Sequence, residues 1–136
     1  MPETFVPGVI YSIRAAADLP KARFVGFDGN LCAANAKALG VTQYDFAAGE
    51  MAGVIVNGIA LVEAGGAISA GQAVTSNASG QAVAASAATV TVPSGTANAV
   101  AGTYNVDGGV LPQAVNGWAL DDATAAGQVI RVLLAA

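Results

Sequence analysis

The chain has 136 residues, a net charge of -4, no histidine and one cysteine, and those numbers exclude several classes of function. Without histidine there are no Ser-His or Cys-His nucleophile pairs and few zinc or iron sites. Five Lys+Arg against nine Asp+Glu leave no basic patch for nucleic acid.

The length suits one domain, which buries roughly 70% of the surface its unfolded chain exposes. Apolar residues make up 54%, much of it Ala, with 6% aromatic. Small side chains fill space only if backbone layers approach closely. Charged residues are 10% against about 25% in typical soluble domains, which predicts a large protein–protein contact area. Arg14, Lys21, Arg23 and Lys37 lie early and only Arg131 lies late, so the N-terminal part is the part suited to an acidic partner surface.

In chain order, Met1-Pro2-Glu3-Thr4-Phe5-Val6-Pro7-Gly8 holds two prolines and a glycine and is expected to be extended, since proline is excluded from helix interiors and central strands. Residues 1–14 are read as an N-terminal arm and 15–136 as a single β domain. Val9 to Ile13 and Ala22 to Phe27 suit strands, with a turn at Asp28-Gly29-Asn30, because Asp-Gly tolerates positive φ. Leu31 to Ala33 is the return strand, and Ala34 to Leu39 suits one helical turn. Met51 to Val62, interrupted by Asn57-Gly58, lacks clean alternation and is expected to be covered on both faces. Gly71 to Thr75 and Gly80 to Ala84 form a hairpin, and Thr89-Val90-Thr91-Val92 alternates with period two. Pro93 to Pro112 is a long excursion, with a short strand at Gly102 to Val106. Val115 to Leu120 and Gln128 to Leu134 close the chain. Apolar spacing of helical period never persists beyond one turn, so the class is all-β, a small sandwich or barrel.

From Ala64 to Val106 there is no charged residue. Polar residues break this run too often for a membrane span, and no basic segment followed by an apolar one suggests a signal peptide at the start. Cys32 can form no intrachain disulfide and, in Leu31-Cys32-Ala33, reads as a small buried hydrophobe. Asp121-Asp122 are strand neighbours that point apart, Asn105-Val106-Asp107-Gly108 lacks the ligand spacing of a calcium loop, and Asn77-Ala78-Ser79 reads as a turn. No catalytic residue, cofactor or metal site is expected. Phe5, Val6, Ile10 and Tyr11 are large apolar residues on the Pro-flanked arm, which suits a partner groove. Trp118 either anchors a subunit interface or plugs the end of the core.

One cassette occurs twice. It reads Gly40-Val41-Thr42, Asp45, Ala47-Ala48-Gly49-Glu50 and Val54-Ile55-Val56, then Gly117-Trp118-Ala119, Asp122, Ala125-Ala126-Gly127-Gln128 and Val132-Leu133-Leu134. Each copy predicts strand, polar turn and strand. Together with Asn57-Gly58 and Ala67-Ile68-Ser69-Ala70-Gly71-Gln72-Ala73-Val74, this order resembles the capsid cement, or head decoration, proteins of tailed bacteriophages, over about residues 38–84 and 115–134. The resemblance implies a small β-tulip-like domain on the outer surface of the phage head, made in the host cytoplasm. It also implies a homotrimer that bridges major capsid protein subunits without catalysis. The expected capsid contacts are Phe5, Val6, Pro7, Ile10, Tyr11 and Arg14. The expected oligomer interface, drawn largely from the charge-free segment 64–106, holds Val74, Val83, Val90, Val92 and Trp118. The alternative is a carbohydrate- or host-surface-binding module using Tyr44, Tyr104 and Trp118.

Overall fold

A computed structural model describes residues 5–85 and 114–135. Its eight strands are β1 (Val6–Arg14), β2 (Phe24–Val25), β3 (Gly40–Thr42), β4 (Met51–Glu63), β5 (Ala73–Ser76), β6 (Ala82–Ala84), β7 (Gly117–Ala119) and β8 (Val129–Leu134). All named pairs are antiparallel, in one sheet ordered β2-β3-β4-β8-β7-β5-β6, with β1 on β4. The sheet curls until its ends meet: the Phe24 amide donates to the Gly80 carbonyl beyond β5 at 2.7 Å. The protein is therefore all-β and barrel-like, with no helix among the described residues.

Three expectations change. Residues 6–14 are extended, yet they form a strand paired with β4 along its length, so the boundary at residue 14 does not separate an arm from the domain. Proline is accommodated at Pro7 because β1 is an edge strand, and a register shift at Pro7 to Ile10 takes up the kink. Asn57-Gly58 does not interrupt β4, which faces that shift instead. Residues 34–39 hold a turn with Asn35 at φ 62°, not a helical turn. The 71–84 hairpin forms as β5 and β6. Val90, Val92 and the 93–112 excursion lie outside the described residues.

The doubled cassette is part of a larger duplication. β3 pairs with β4 through Val41–Ile55 and Thr42–Val54, and β7 pairs with β8 through Trp118–Leu133 and Ala119–Val132. The neighbouring pairs repeat as well: Phe24–Val41 and Val25–Gly40 correspond to Ala73–Trp118 and Val74–Gly117. β1 sits on the first half of β4 as the second half of β4 sits on β8, with Ile10–Ile55 matching Ile59–Leu133. The chain is thus two copies of one unit, and β4 belongs to both.

The glycines, the aspartates and the Glu50 or Gln128 position of the cassette each have a physical reason. A Cβ on Gly40 would lie 2.5 Å from the Ile55 carbonyl oxygen, and one on Gly117 would lie 2.5 Å from that of Leu133. Only glycine admits so close a strand. Asp45 accepts a hydrogen bond from the Lys21 amide at 2.8 Å, as Asp122 does from the Ala70 amide at 2.7 Å. Each aspartate thereby holds the loop that its unit contributes before β2 or β5. Glu50 and Gln128 fold back to accept from the amides of Ala47 and Thr124, and Gly49 (φ 89°) and Gly127 (φ 94°) turn the chain.

Two kinds of glycine should separate in a denaturation series. Gly40→Ala and Gly117→Ala each cost about 3 kcal/mol, the top of the overpacking range, because a backbone carbonyl must move. Gly49→Ala and Gly127→Ala meet nothing within 4 Å and cost only the left-handed penalty, about 1–2 kcal/mol. Equal losses in urea-melt stabilities for all four would contradict this assignment.

Candidate functional site

The two units divide the core unevenly. In the second, the inward faces of β4, β5, β7 and β8 carry Ala60, Val62, Val74, Ala119, Ile130, Val132 and Leu134, all buried. In this larger core they are covered by Phe24, Val41 and Ile55 of the first unit. A polar clamp at the same junction holds the units together. Arg23 pairs with Glu63 at 2.7 Å and donates to the Ser79 carbonyl at 3.0 Å, while Gln81 donates to the same Glu63 carboxylate at 2.6 Å. The corresponding face of the first unit builds a smaller core from Ala15, Leu19, Val25, Ala52 and Val54. Leu31, Leu39 and Phe46 of the same unit pack against it. Among the described residues, however, no strand of the other unit lies over it as Phe24, Val41 and Ile55 lie over the second, and Tyr11 on that face stays exposed.

Two exposed apolar surfaces result. The first is an open groove of about 310 Å³ over the smaller core, lined by Val9, Tyr11, Ile13, Phe27, Leu39 and Val56. Tyr11 and Phe27 are 55% and 67% exposed. The second is a row across β7, β8 and β4, where Trp118 pairs with Leu133 and Leu133 with Ile59. Both Trp118 and Leu133 are 44% exposed. Arg131, on the same face of β8 as Leu133, binds Asp121 with two nitrogens, Nη2 at 2.7 Å and Nε at 2.9 Å. This forked pair edges the row with charge.

Among residues expected to face partners, Val6, Pro7, Ile10, Tyr11 and Arg14 are exposed on β1, but not on one surface. Ile10 and Arg14 pair with Ile55 and Met51, whereas Tyr11 pairs with Val54, and alternation puts Tyr11 on the opposite side. Tyr11 lines the groove. Ile10 and Arg14 look the other way, beside exposed Met51. Phe5 is half-buried against the larger core, and Arg14 is also tied to the Gly49 carbonyl at 2.8 Å. The interface expectation needs a correction at Val74, which is 0% exposed, because the inward side of β5 is its apolar side. Val83 is half-buried on β6, and Val90 and Val92 lie outside the described residues. Trp118 points outward and does not plug the core.

The sequence reading missed Phe27, Met51, Val56, Ile59 and Leu133 at these surfaces. A signal for Leu133 was present: Ile130, Val132 and Leu134 alternate inward, which turns Leu133 outward. Nothing local marked Phe27, whose exposure depends on the turn at Gly29.

The titratable groups offer little chemistry. Burial pushes the Cys32 thiol up, and its sulfur lies against the Ala36 carbonyl, an inert setting. Asp28 is held low first by the Asn30 amide. Asn116, buried ahead of β7, accepts from the Ala38 amide at 2.9 Å and donates to the Ala36 carbonyl at 3.0 Å, which fastens that segment to the core. Among the described residues no three His, Cys, Asp or Glu side chains gather as a metal-binding group.

A family model described as phage cement protein matches residues 7–134. Among solved structures, the N base of head fiber gp8.5 of bacteriophage phi29 is similar in fold, with TM-score 0.60 and 20% identity over 93% of this chain and 93% of that one. No curated protein matches the sequence.

The Asp121 carboxyl is held below the usual range near 3.8, chiefly by its hydrogen bonds from the Arg131 side chain. A depressed folded-state pKa adds stability above the unfolded value that is lost as pH falls through the folded value. Asp121→Asn should therefore lower stability at neutral pH, and the gap to wild type should narrow below about pH 4. Chemical denaturation at neutral and acid pH checks this, and a gap of constant size would contradict it.

Proposed function

The chain belongs to the phage cement protein family, and we propose that it binds the outer surface of a phage head and bridges neighbouring major capsid protein subunits. A structural, capsid-associated role is the part that family membership carries. The finer reading rests on one observation: β1 is a nine-residue apolar edge strand whose side facing away from the groove presents Val6, Ile10 and Arg14 beside Met51.

Exposed edge strands invite pairing and are normally blunted by charge or cover. β1 carries one charge, Arg14, and its far edge has no strand partner among the described residues. A capsid strand or loop can dock there through main-chain hydrogen bonds, with pockets for Val6 and Ile10 setting specificity and Arg14 meeting acidic groups. Phe5, packed on the larger core, anchors the strand. A bridge of this kind stabilises the shell by mass action, with a modest gain per copy summed over many seams. No catalytic step is needed.

Deleting β1 would strip a strand from β4 and open the smaller core, so charge placed on its outer side is the cleaner test. Ile10 is 59% exposed, so Ile10→Asp should keep the fold by circular dichroism. Its occupancy on undecorated heads should require at least about tenfold more protein, a loss of about 1.4 kcal/mol. Occupancy read by cryo-EM across a protein titration gives the answer. A titration curve that matches wild type would remove β1 from the capsid contact.

A further inference from the structure

We infer that the two exposed apolar surfaces are complementary halves of one interface, and that copies of this chain pack head to tail through them. The Trp118, Leu133 and Ile59 row of one copy occupies the groove at Tyr11, Phe27 and Val56 of the next.

The duplication relates the two surfaces to a junction that the chain already contains. Inside the chain, Phe24, Val41 and Ile55 of the first unit cover the inward face of the second. The register assigns their counterparts in the second unit: Ala73, Trp118 and Leu133. Trp118 and Leu133 are exposed where Val41 and Ile55 are buried. The face they would cover has a counterpart too. Ala60, Val62 and Leu134, buried in the second unit, correspond to Tyr11, Ile13 and Val56, which line the open groove in the first. One chain therefore contains one satisfied junction and both halves of an unsatisfied one. A second copy supplies what each half lacks.

Such a contact is heterologous, because the two patches differ. A closed ring of chains satisfies every patch, and it would alternate the junction inside each chain with the junction between chains. Tryptophan and tyrosine at the centre, with the Asp121–Arg131 pair at one edge, match the apolar core and polar rim of a specific interface. The outer side of β1 with Ile10 and Arg14 faces away from the groove, so the same ring can meet a capsid. The inference itself does not depend on that role.

Mass measurement of purified wild-type protein at high micromolar concentration, without heads, should give one assembly of several chains. Trp118→Glu and Phe27→Glu, both at exposed positions, should each be a folded monomer by mass and circular dichroism. Their equimolar mixture is the decisive sample. It retains one intact row and one intact groove, so it should form a two-chain species absent from either variant alone. A monomeric wild type, an unchanged assembly for either variant, or a mixture that stays monomeric would overturn the inference. Loss of head occupancy by Trp118→Glu from a monomeric wild type would instead assign the row to the capsid. Assembly that survives Ile10→Asp while head binding is lost would leave this interface standing and locate the failure at β1.

Discussion

The fold hangs on β4. Its first half is held between β1 and β3, and its second half pairs with β8. Thirteen residues of one strand thereby serve as the last strand of one unit and the first of the next. This sharing explains the alternation that the stretch lacks. Val54 and Ile55 are neighbours that point to opposite faces, and both are buried, because one serves the smaller core and the other the larger. It also sets the order of the sheet, and the roll that brings β2 to Gly80 follows from packing one unit's outer face on the other's inner face.

Duplication under that constraint separates what must stay from what can change. The cassette keeps the glycine at the close strand crossing, the aspartate that holds the neighbouring loop, and the turn closed by Glu50 or Gln128. The residues between them have diverged according to what covers them. Val41 in the first unit is Trp118 in the second, and Ala60 in the second is Tyr11 in the first. At both places the buried copy is small and the exposed copy is a large aromatic. Chains that bury an apolar face only by stacking a repeat leave an exposed face at each end, and Tyr11 and Trp118 lie exposed at those two ends here.

Much of this was legible in the sequence, and the rest was hidden for identifiable reasons. The doubled cassette predicted two strand–turn–strand units, because glycine and aspartate requirements are local and leave a fixed spacing. The Asp28-Gly29 turn and the 71–84 hairpin were legible on the same ground. The wider duplication was not, since residues 10–14 and 59–63 share a register but little sequence. Val74 was placed at an interface from its charge-free surroundings, yet absence of charge does not say which side of a strand is buried. Tyr11 and Ile10 were grouped by nearness in sequence, which in a strand means opposite faces. The exposed apolar surfaces needed the register, because Trp118, Leu133 and Ile59 come from distant segments that only sheet pairing aligns.

The central claim is that one junction occurs twice, within the chain and between chains, while the outer side of β1 turns toward the head. A cryo-EM map of the decorated capsid at side-chain resolution tests it most directly. Trp118 of one copy should be seated over Tyr11 and Val56 of its neighbour, with Ile10 and Arg14 against capsid protein. Trp118 facing solvent, or the Tyr11 groove filled by capsid protein with no second copy in contact, would contradict it.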